Sequence, residues 1–201
     1  MTLEAGGRVS GILATLARSI LRMRLRPNVD DLAALLISLI REVPDFPRPG
    51  VLFRDLAPVF ADADTFRAVV DTLIASAQQV DVVVGVEARG FLLGAAAAYA
   101  LGAGVVGVRK PGKLPVVSDR EGYALEYGVA SLELAHGVLR PGQRALVVDD
   151  VLATGGTAAA TCALIERAGV TVSSIAVLLE IGSLGGRDRL VGRVVHALLT
   201  R

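Results

Sequence analysis

The stretch that decides the fold runs from Ala145 to Thr157 and reads ALVVDDVLATGGT. Its apolar start predicts a buried strand, two adjacent acids follow, and the closing Thr-Gly-Gly-Thr predicts the start of a helix. Glycines permit backbone conformations that other residues avoid, and they let a ligand approach the main chain closely. Consecutive N–H groups at a helix N-terminus form a positive concavity. The stretch therefore predicts a loop that binds a phosphate dianion.

The two acids, Asp149 and Asp150, extend this prediction from a phosphate to a sugar phosphate. They stand at the carboxyl end of the predicted strand, where ligands bind in open α/β sheets. Carboxylates can accept hydrogen bonds from the vicinal hydroxyls of a ribose. The loop is not a Walker loop, because the G-x-x-x-x-G-K-[ST] pattern is missing. A glycine-rich turn with incidental acids is the alternative, and the direct pairing of the acids disfavours it.

Apolar segments on either side predict an α/β domain. Five of them predict buried strands: 80–86, 105–108, 144–148, 172–179 and 194–199. Helical segments at 90–101 and 156–167 lie between these strands. Strands that are apolar on both faces and separated by helices predict a parallel sheet flanked by helices. Residues 129–134 alternate as an antiparallel strand would, and the charged, glycine-containing segment 111–128 is expected to be loop.

The N-terminal part of the chain reads differently. Residues 1–28 are rich in arginine, with no acid between Glu4 and Asp30. An amphipathic anchor or targeting segment would fit this pattern, but we favour a loosely docked extension. A helix capped by Asp30 or Asp31 is expected to run to about residue 41. Four of the eight prolines lie in 44–58, which predicts an ordered loop, and a helix capped by Asp62 or Asp64 is expected to end near residue 79.

Composition restricts the possible function classes. The 201 residues suit one domain, over 29–201, and the net charge of +1 provides no general attraction for nucleic acid or a membrane. A single cysteine excludes an internal disulfide and suits the cytoplasm. Residues 91–108 are uncharged over 18 positions, but Gly102 and Gly104 divide them, which predicts a buried helix, a turn and a strand rather than a membrane span.

The 13 residues quoted above resemble the phosphoribosyl pyrophosphate (PRPP) motif of the type I phosphoribosyltransferases. Four more segments, in order, resemble the adenine branch of that family: DFPRPGVLFRD at 45–55, EARGF at 87–91, VRKPGKLP at 108–115 and YALEYG at 123–128. The resemblance runs from about Val43 to the C-terminus. It implies a parallel sheet flanked by helices, with a small flexible hood over about 111–135. The implied reaction transfers the 5-phosphoribosyl group of PRPP to adenine, giving AMP and pyrophosphate.

The resemblance also implies roles for individual residues. The loop for the 5′-phosphate would be Ala153, Thr154, Gly155, Gly156 and Thr157. The ribose hydroxyls would bind to Asp149 and Asp150. The pyrophosphate would be neutralised by Arg89, Arg109, Lys110 and Lys113. Adenine would be held by Leu52, Phe53 and Arg54. Glu126 would manage the purine proton, and Tyr127 would shape the lid. Mg²⁺ would arrive mainly through PRPP and need few protein ligands. The family also implies a homodimer, in which Arg109 is a candidate to serve the neighbouring subunit.

Alternatives remain open for several of these residues. Without the resemblance, the Arg109–Lys110 pair reads as solvated loop charge, Phe53 as core and Glu126 as a surface acid. Two other functions also remain open. One is transfer to a 6-oxopurine, although the segment around Phe53 favours adenine. The other is a regulator that binds PRPP as a signal, which salt-dependent DNA binding would reveal.

Overall fold

The computed structural model describes residues 29–125 and 128–201. The chain divides into two compact units, the first ending at Pro58 and the second beginning at Val59. The predicted extension over 1–28, and Glu126 and Tyr127, lie outside the described residues.

The first unit contains a helix and a β-hairpin. Helix α1 (Val29–Leu39) is followed by strands β1 (Arg41–Pro44) and β2 (Leu52–Asp55), which pair antiparallel. Asp30 and Asp31, the predicted caps, lie within α1 rather than before it. The prediction of a loop over 44–58 was wrong at its ends. Pro44 ends β1, Pro47 and Pro49 lie in the connecting turn, and Pro58 lies in the first turn of the following helix, Ala57–Ala61.

The second unit is an α/β domain. Its helices are α2 (Ala57–Ala61, which begins at the unit boundary), α3 (Ala63–Ile74), α4 (Arg89–Leu101) and α5 (Gly156–Arg167). Its strands are β3 (Val82–Val86), β4 (Gly104–Val108), β5 (Val117–Leu125), β6 (Gly128–Ala135), β7 (Arg144–Leu152), β8 (Thr171–Glu180) and β9 (Val195–Thr200). Two short 3₁₀ turns, Gly182–Leu184 and Gly186–Leu190, connect β8 to β9.

Five strands form the parallel sheet that the sequence predicted. Their order is β4-β3-β7-β8-β9, and every neighbouring pair is parallel. Strand β3 is buried at all five positions, as expected for a central strand covered on both faces. Helix α3 is capped by Asp62, whose carboxylate accepts the N–H of Thr65 at 2.8 Å, but it ends five residues before the predicted position. The parallel α/β fold is confirmed.

A separate antiparallel hairpin joins β4 to β7. Strands β5 and β6 pair from Val117↔Ala135 to Leu125↔Gly128. The prediction of a loop over 111–128 was therefore wrong for its second half. The charges of β5 are compatible with a strand because they are ion-paired: Arg167 at the end of α5 contacts Asp119 and Glu121 at 2.6 Å each.

The uncharged segment 91–108 has the predicted helix–turn–strand arrangement. Helix α4 ends at Leu101, Gly102 adopts a left-handed conformation, and β4 begins at Gly104. Within the described residues, no helix is long and apolar enough to cross a membrane.

Candidate active site

The two acids of the deciding stretch lie inside β7, near its carboxyl end. The strand continues to Leu152, four residues beyond the predicted end. Asp149 and Asp150 are only 9% and 7% exposed. The N–H of Asp150 donates to Oδ1 of Asp149 at 2.8 Å, and Nη2 of Arg89 lies 2.7 Å from Oδ2 of Asp150. Three of the predicted site residues are thus brought together.

The two carboxyl groups of this pair lie in different electrostatic surroundings. Burial raises the pKa of Asp149 well above its ordinary value, and the neighbouring Asp150 raises this pKa further. The charge of Arg89 opposes the shift, but to a smaller extent. The guanidinium of Arg89 makes its direct contact with Asp150. Two adjacent carboxyl groups of this kind can hydrogen-bond two neighbouring hydroxyls.

The predicted phosphate loop leads directly into α5. Gly155 precedes the helix with φ +79°; as a glycine it provides no side-chain cap, and the first turn contains no acid. The N–H groups of this turn and the positive end of the helix dipole therefore favour an anion. Gly155 and Gly156 are buried, whereas Ala153, Thr154 and Thr157 are half-buried.

A glycine turn supports the loop from behind. A Cβ on Gly155 would overlap the carbonyl oxygen of Gly186 and lie 3.0 Å from its carbonyl carbon. Conversely, a Cβ on Gly186 would overlap the carbonyl oxygen of Ala153. The two segments therefore meet backbone to backbone. Arg187, next in the chain, makes a two-pronged pair with the buried Glu180, with N···O distances of 2.8–3.0 Å.

Two further glycines bring Arg89 to the carboxyl pair, and the sequence reasoning did not single them out. A Cβ on Gly85 would lie 2.8 Å from the carbonyl oxygen of Gly90. A Cβ on Gly90 would lie 2.9 Å from both Oδ1 of Asp149 and the carbonyl oxygen of Val148. The start of α4 can therefore approach β3 and β7 only because these side chains are absent. The sequence signal for this close approach is Gly85, a glycine inside the valine-rich strand β3.

The predicted pyrophosphate cations other than Arg89 follow β4. Arg109 lies over the ring of Phe91, with its guanidinium 5.6 Å from the centroid, and its Nε is 3.6 Å from Oε2 of Glu87. The same oxygen of Glu87 accepts the N–H of Lys110 at 2.8 Å. Lys110 and Lys113 are exposed, and neither belongs to an ion pair in the part of the chain that the structure describes. Their ammonium groups thus remain available to an anion.

The predicted adenine residues lie on β2 of the first unit. The ring of Phe53 packs edge-to-face against Phe46, with centroids 5.1 Å apart. Arg54 pairs with Glu42 at 3.2 Å, and Leu52 is exposed. Phe53 is therefore half-buried against another aromatic ring rather than part of a fully buried core. Within the second unit, the structure brings Arg89 to the carboxyl pair that directly precedes the phosphate loop.

Comparison with known proteins agrees with this geometry. Residues 62–191 match the family model of the phosphoribosyl transferase domain. The chain is 61% identical over 166 residues to the adenine phosphoribosyltransferase of Clavibacter michiganensis subsp. michiganensis, covering 83% of this chain and 95% of that protein. The chain belongs to the adenine phosphoribosyltransferase family. The adenine phosphoribosyltransferase of Salinispora arenicola is 60% identical over 165 residues, covering 81% of this chain and 88% of that protein.

Solved structures of adenine phosphoribosyltransferases share the fold. That of Rhodothermus marinus is 44% identical, with a TM-score of 0.81, and the match covers 85% of this chain and 98% of that one. That of Giardia lamblia, complexed with 9-deazaadenine, is 35% identical with a TM-score of 0.79, covering 87% and 98%. The type I phosphoribosyltransferase fold and the family membership that the sequence motifs predicted are both confirmed.

Proposed function

We propose that this chain transfers the 5-phosphoribosyl group of PRPP to adenine, releasing AMP and pyrophosphate, as an enzyme of purine salvage. The observation that carries the proposal is the buried carboxyl pair, Asp149 and Asp150, directly before an uncapped helix N-terminus. It occurs in a chain that is 61% identical to an adenine phosphoribosyltransferase. A ribose and a phosphate joined by one methylene group fit these two features together.

PRPP binding is proposed to use three sets of groups. The loop from Ala153 to Thr157 holds the 5′-phosphate through main-chain N–H groups and hydroxyls. Asp149 and Asp150 bind the ribose hydroxyls. Arg89, Arg109, Lys110 and Lys113 neutralise the pyrophosphate, whose charge requires fixed cations. The exposed ammonium groups of the two lysines and the unneutralised helix end support this assignment.

Adenine is proposed to bind to the β2 segment. The face of Phe53 provides an apolar surface for the purine ring, and main-chain groups of Leu52 and Arg54 are suited to read its edge. The complex of the Giardia lamblia relative with 9-deazaadenine supports a purine site in this family.

The chemical step exchanges one bond to the anomeric carbon for another. N9 of adenine forms the new bond to C1 of the ribose, while the C1–O bond breaks and its electron pair leaves with pyrophosphate. The proton displaced from the purine passes to a base, which we propose to be the carboxylate of Glu126 acting at N7. Tyr127 would help the hood exclude water, which would otherwise capture the activated sugar as ribose 5-phosphate.

Magnesium is proposed to bind mainly through PRPP. Within the described residues no three His, Cys, Asp or Glu side chains form a metal cluster, and Asp150 is already paired with Arg89. This donor set suits an ion that keeps its waters and substrate oxygens as ligands. When bound, Mg²⁺ would supply positive charge to the leaving pyrophosphate.

We further propose a cytoplasmic homodimer with one catalytic domain over 29–201. Helix α4 and the neighbouring edge strand β4 expose apolar side chains on one side: Leu92, Tyr99 and Val105 are 54%, 92% and 53% exposed. Exposed apolar groups of this size favour a second copy as the covering surface. Analytical ultracentrifugation of the chain and of Tyr99→Glu tests this, and a wild-type monomer would contradict it.

The function is tested by measuring AMP formation from PRPP, Mg²⁺ and adenine, with hypoxanthine and guanine in parallel. We expect adenine-selective turnover that Glu126→Gln reduces at least about a hundredfold, the usual contribution of general acid–base catalysis. Turnover with a 6-oxopurine would overturn the adenine assignment. Absence of turnover with every base, together with PRPP binding and salt-dependent DNA binding, would establish a regulator instead.

A further inference from the structure

Glu133 is a buried acid for which the reaction described above has no role. It lies on β6, and only 1% of its surface is exposed. A buried carboxylate is unfavourable unless its oxygens are hydrogen-bonded and its charge is compensated. Among the described residues, the groups that compensate Glu133 come from two segments: strand β5 of the hood hairpin (β5 and β6) and the basic loop, Arg109–Lys113.

One carboxylate oxygen of Glu133 contacts strand β5 of the hood hairpin, and the other contacts the basic loop. Oε1 pairs with the guanidinium of Arg120, its direct cross-strand partner on β5. Oε2 accepts the N–H of Gly112 at 3.2 Å. The main chain of Glu133 adds a bridge to Arg109: the Arg109 N–H donates to the Glu133 carbonyl at 3.0 Å, and the Glu133 N–H donates to the Arg109 carbonyl at 2.6 Å.

The basic loop, Arg109–Lys113, is held on its other side by Glu87, which accepts the N–H of Lys110. Two acids thus fix the main chain of the loop and leave the ammonium groups of Lys110 and Lys113 without an ion pair in the described chain. Glu87 follows β3 of the rigid sheet, whereas Glu133 belongs to the hairpin. The loop is therefore attached to both.

We infer that Glu133 is a positioning residue that couples the hood hairpin to the pyrophosphate-binding lysines. Its carboxylate transmits the position of β5, through Arg120, to the main chain at Gly112. This inference rests on the proposed function of the loop, because it assigns Glu133 the task of orienting Lys110 and Lys113 toward the leaving group.

The test compares Glu133→Gln with Glu166→Gln. The amide keeps an acceptor for Gly112 but loses the charge that holds Arg120, which is mostly exposed and can turn to water. Glu166 on α5 pairs with Arg193 through both carboxylate oxygens, so Glu166→Gln controls for the loss of an ion pair to an amide elsewhere in the domain. We expect Glu133→Gln to raise KM for PRPP about tenfold, as for loss of one charge-assisted hydrogen bond. KM for adenine should stay within about twofold.

A second measurement separates positioning from a general structural role. In a background carrying both Lys110→Met and Lys113→Met, Glu133→Gln should raise KM for PRPP by less than about threefold, because both groups that it positions are gone. Equal effects in both backgrounds, or an unchanged KM for PRPP in Glu133→Gln, would overturn the inference. Pyrophosphate binding by calorimetry gives a readout independent of turnover: Glu133→Gln should weaken it about as much as it raises KM. Inactivity of the wild type would instead count against the proposed function.

Discussion

Replacing Gly155 by alanine tests whether the shape of the phosphate loop is set by main-chain contact. The position has φ +79°, and the added Cβ would overlap the carbonyl oxygen of Gly186. Gly142 is a matched control because its φ is +86° and nothing lies within 4 Å of the position of its Cβ. Both substitutions therefore bear the same backbone strain, and only one of them also creates an overlap.

The magnitude follows from these two contributions. A left-handed conformation costs an alanine about 1–2 kcal/mol, which applies equally to Gly155→Ala and Gly142→Ala. Overpacking adds about 1–3 kcal/mol, and only at Gly155. The neighbouring atoms there are all backbone, so no flexible side chain can move away. Gly155→Ala should therefore reduce the free energy of unfolding by about 1–3 kcal/mol more than Gly142→Ala does.

Urea unfolding of both variants measures this difference, and steady-state kinetics measures its effect on the site. Displacing the loop by a fraction of an ångström should lower kcat/KM for PRPP by up to about 100-fold in Gly155→Ala, with little change in Gly142→Ala. Free energies of unfolding that agree within about 0.5 kcal/mol would refute the contact argument. Unchanged kinetics in a destabilised Gly155→Ala would show that the loop does not hold the phosphate.

Three further predictions concern other parts of the domain. The pKa of Asp149 is raised above 3.8 in the folded protein, so the contribution of this residue to stability is lost as the pH rises above that value. Asp149→Asn should therefore increase the free energy of unfolding in urea more at about pH 7 than at about pH 4, and the reverse order would contradict the shift. Arg167→Gln should lower the free energy of unfolding by less than about 1 kcal/mol, because the ion pairs of Arg167 with Asp119 and Glu121 are partly exposed. It should nevertheless accelerate hydrogen exchange of the β5 amides, and unchanged exchange would exclude Arg167 as an anchor of the hairpin. Burial raises the pKa of the Cys162 thiol from 9.0 to about 11, so this thiol should react with a disulfide reagent at least about a hundredfold more slowly in the native protein than in the unfolded chain. Rapid labelling of the native protein would contradict the burial of Cys162.

The parallel sheet could be predicted from the sequence because its strands carry the strongest signal. Valine-rich segments such as β3 are buried on both faces, and their residue type alone distinguishes them from helices and loops. The start of α5 was also predictable, because two glycines after an apolar strand leave few other local structures. Strand β5 was not, because its charges are compensated by Arg167, 46 to 48 positions away in the chain, and local sequence cannot show such a partner.

The candidate site also has a part that the local sequence predicts and a part that it does not. The carboxyl pair and the phosphate loop form one continuous segment, so the sequence itself brings them together. Gly85 matters through its contact with the start of α4, and Gly90 through its contact with β7. Gly186 matters through its contact with Gly155, 31 positions earlier in the chain. The coupling through Glu133 likewise depends on cross-strand pairing with Arg120. Such contacts between distant segments require the fold to be known.

The connection between β3 and β7 has a consequence for how the chain acquires its structure during synthesis. These two strands are neighbours in the sheet, and Arg144 donates its N–H to Asp81 across 63 positions of sequence. The whole hood hairpin lies within that interval. Pairing β3 with β7 therefore has to close a chain loop that contains the hairpin. A nascent chain that has emerged only as far as the hairpin has β3 and β4 alone, and a two-stranded sheet is at best marginally stable. The hairpin must therefore await β7 before it has a three-stranded sheet to dock on, so the central sheet can begin to form only once synthesis has passed Leu152.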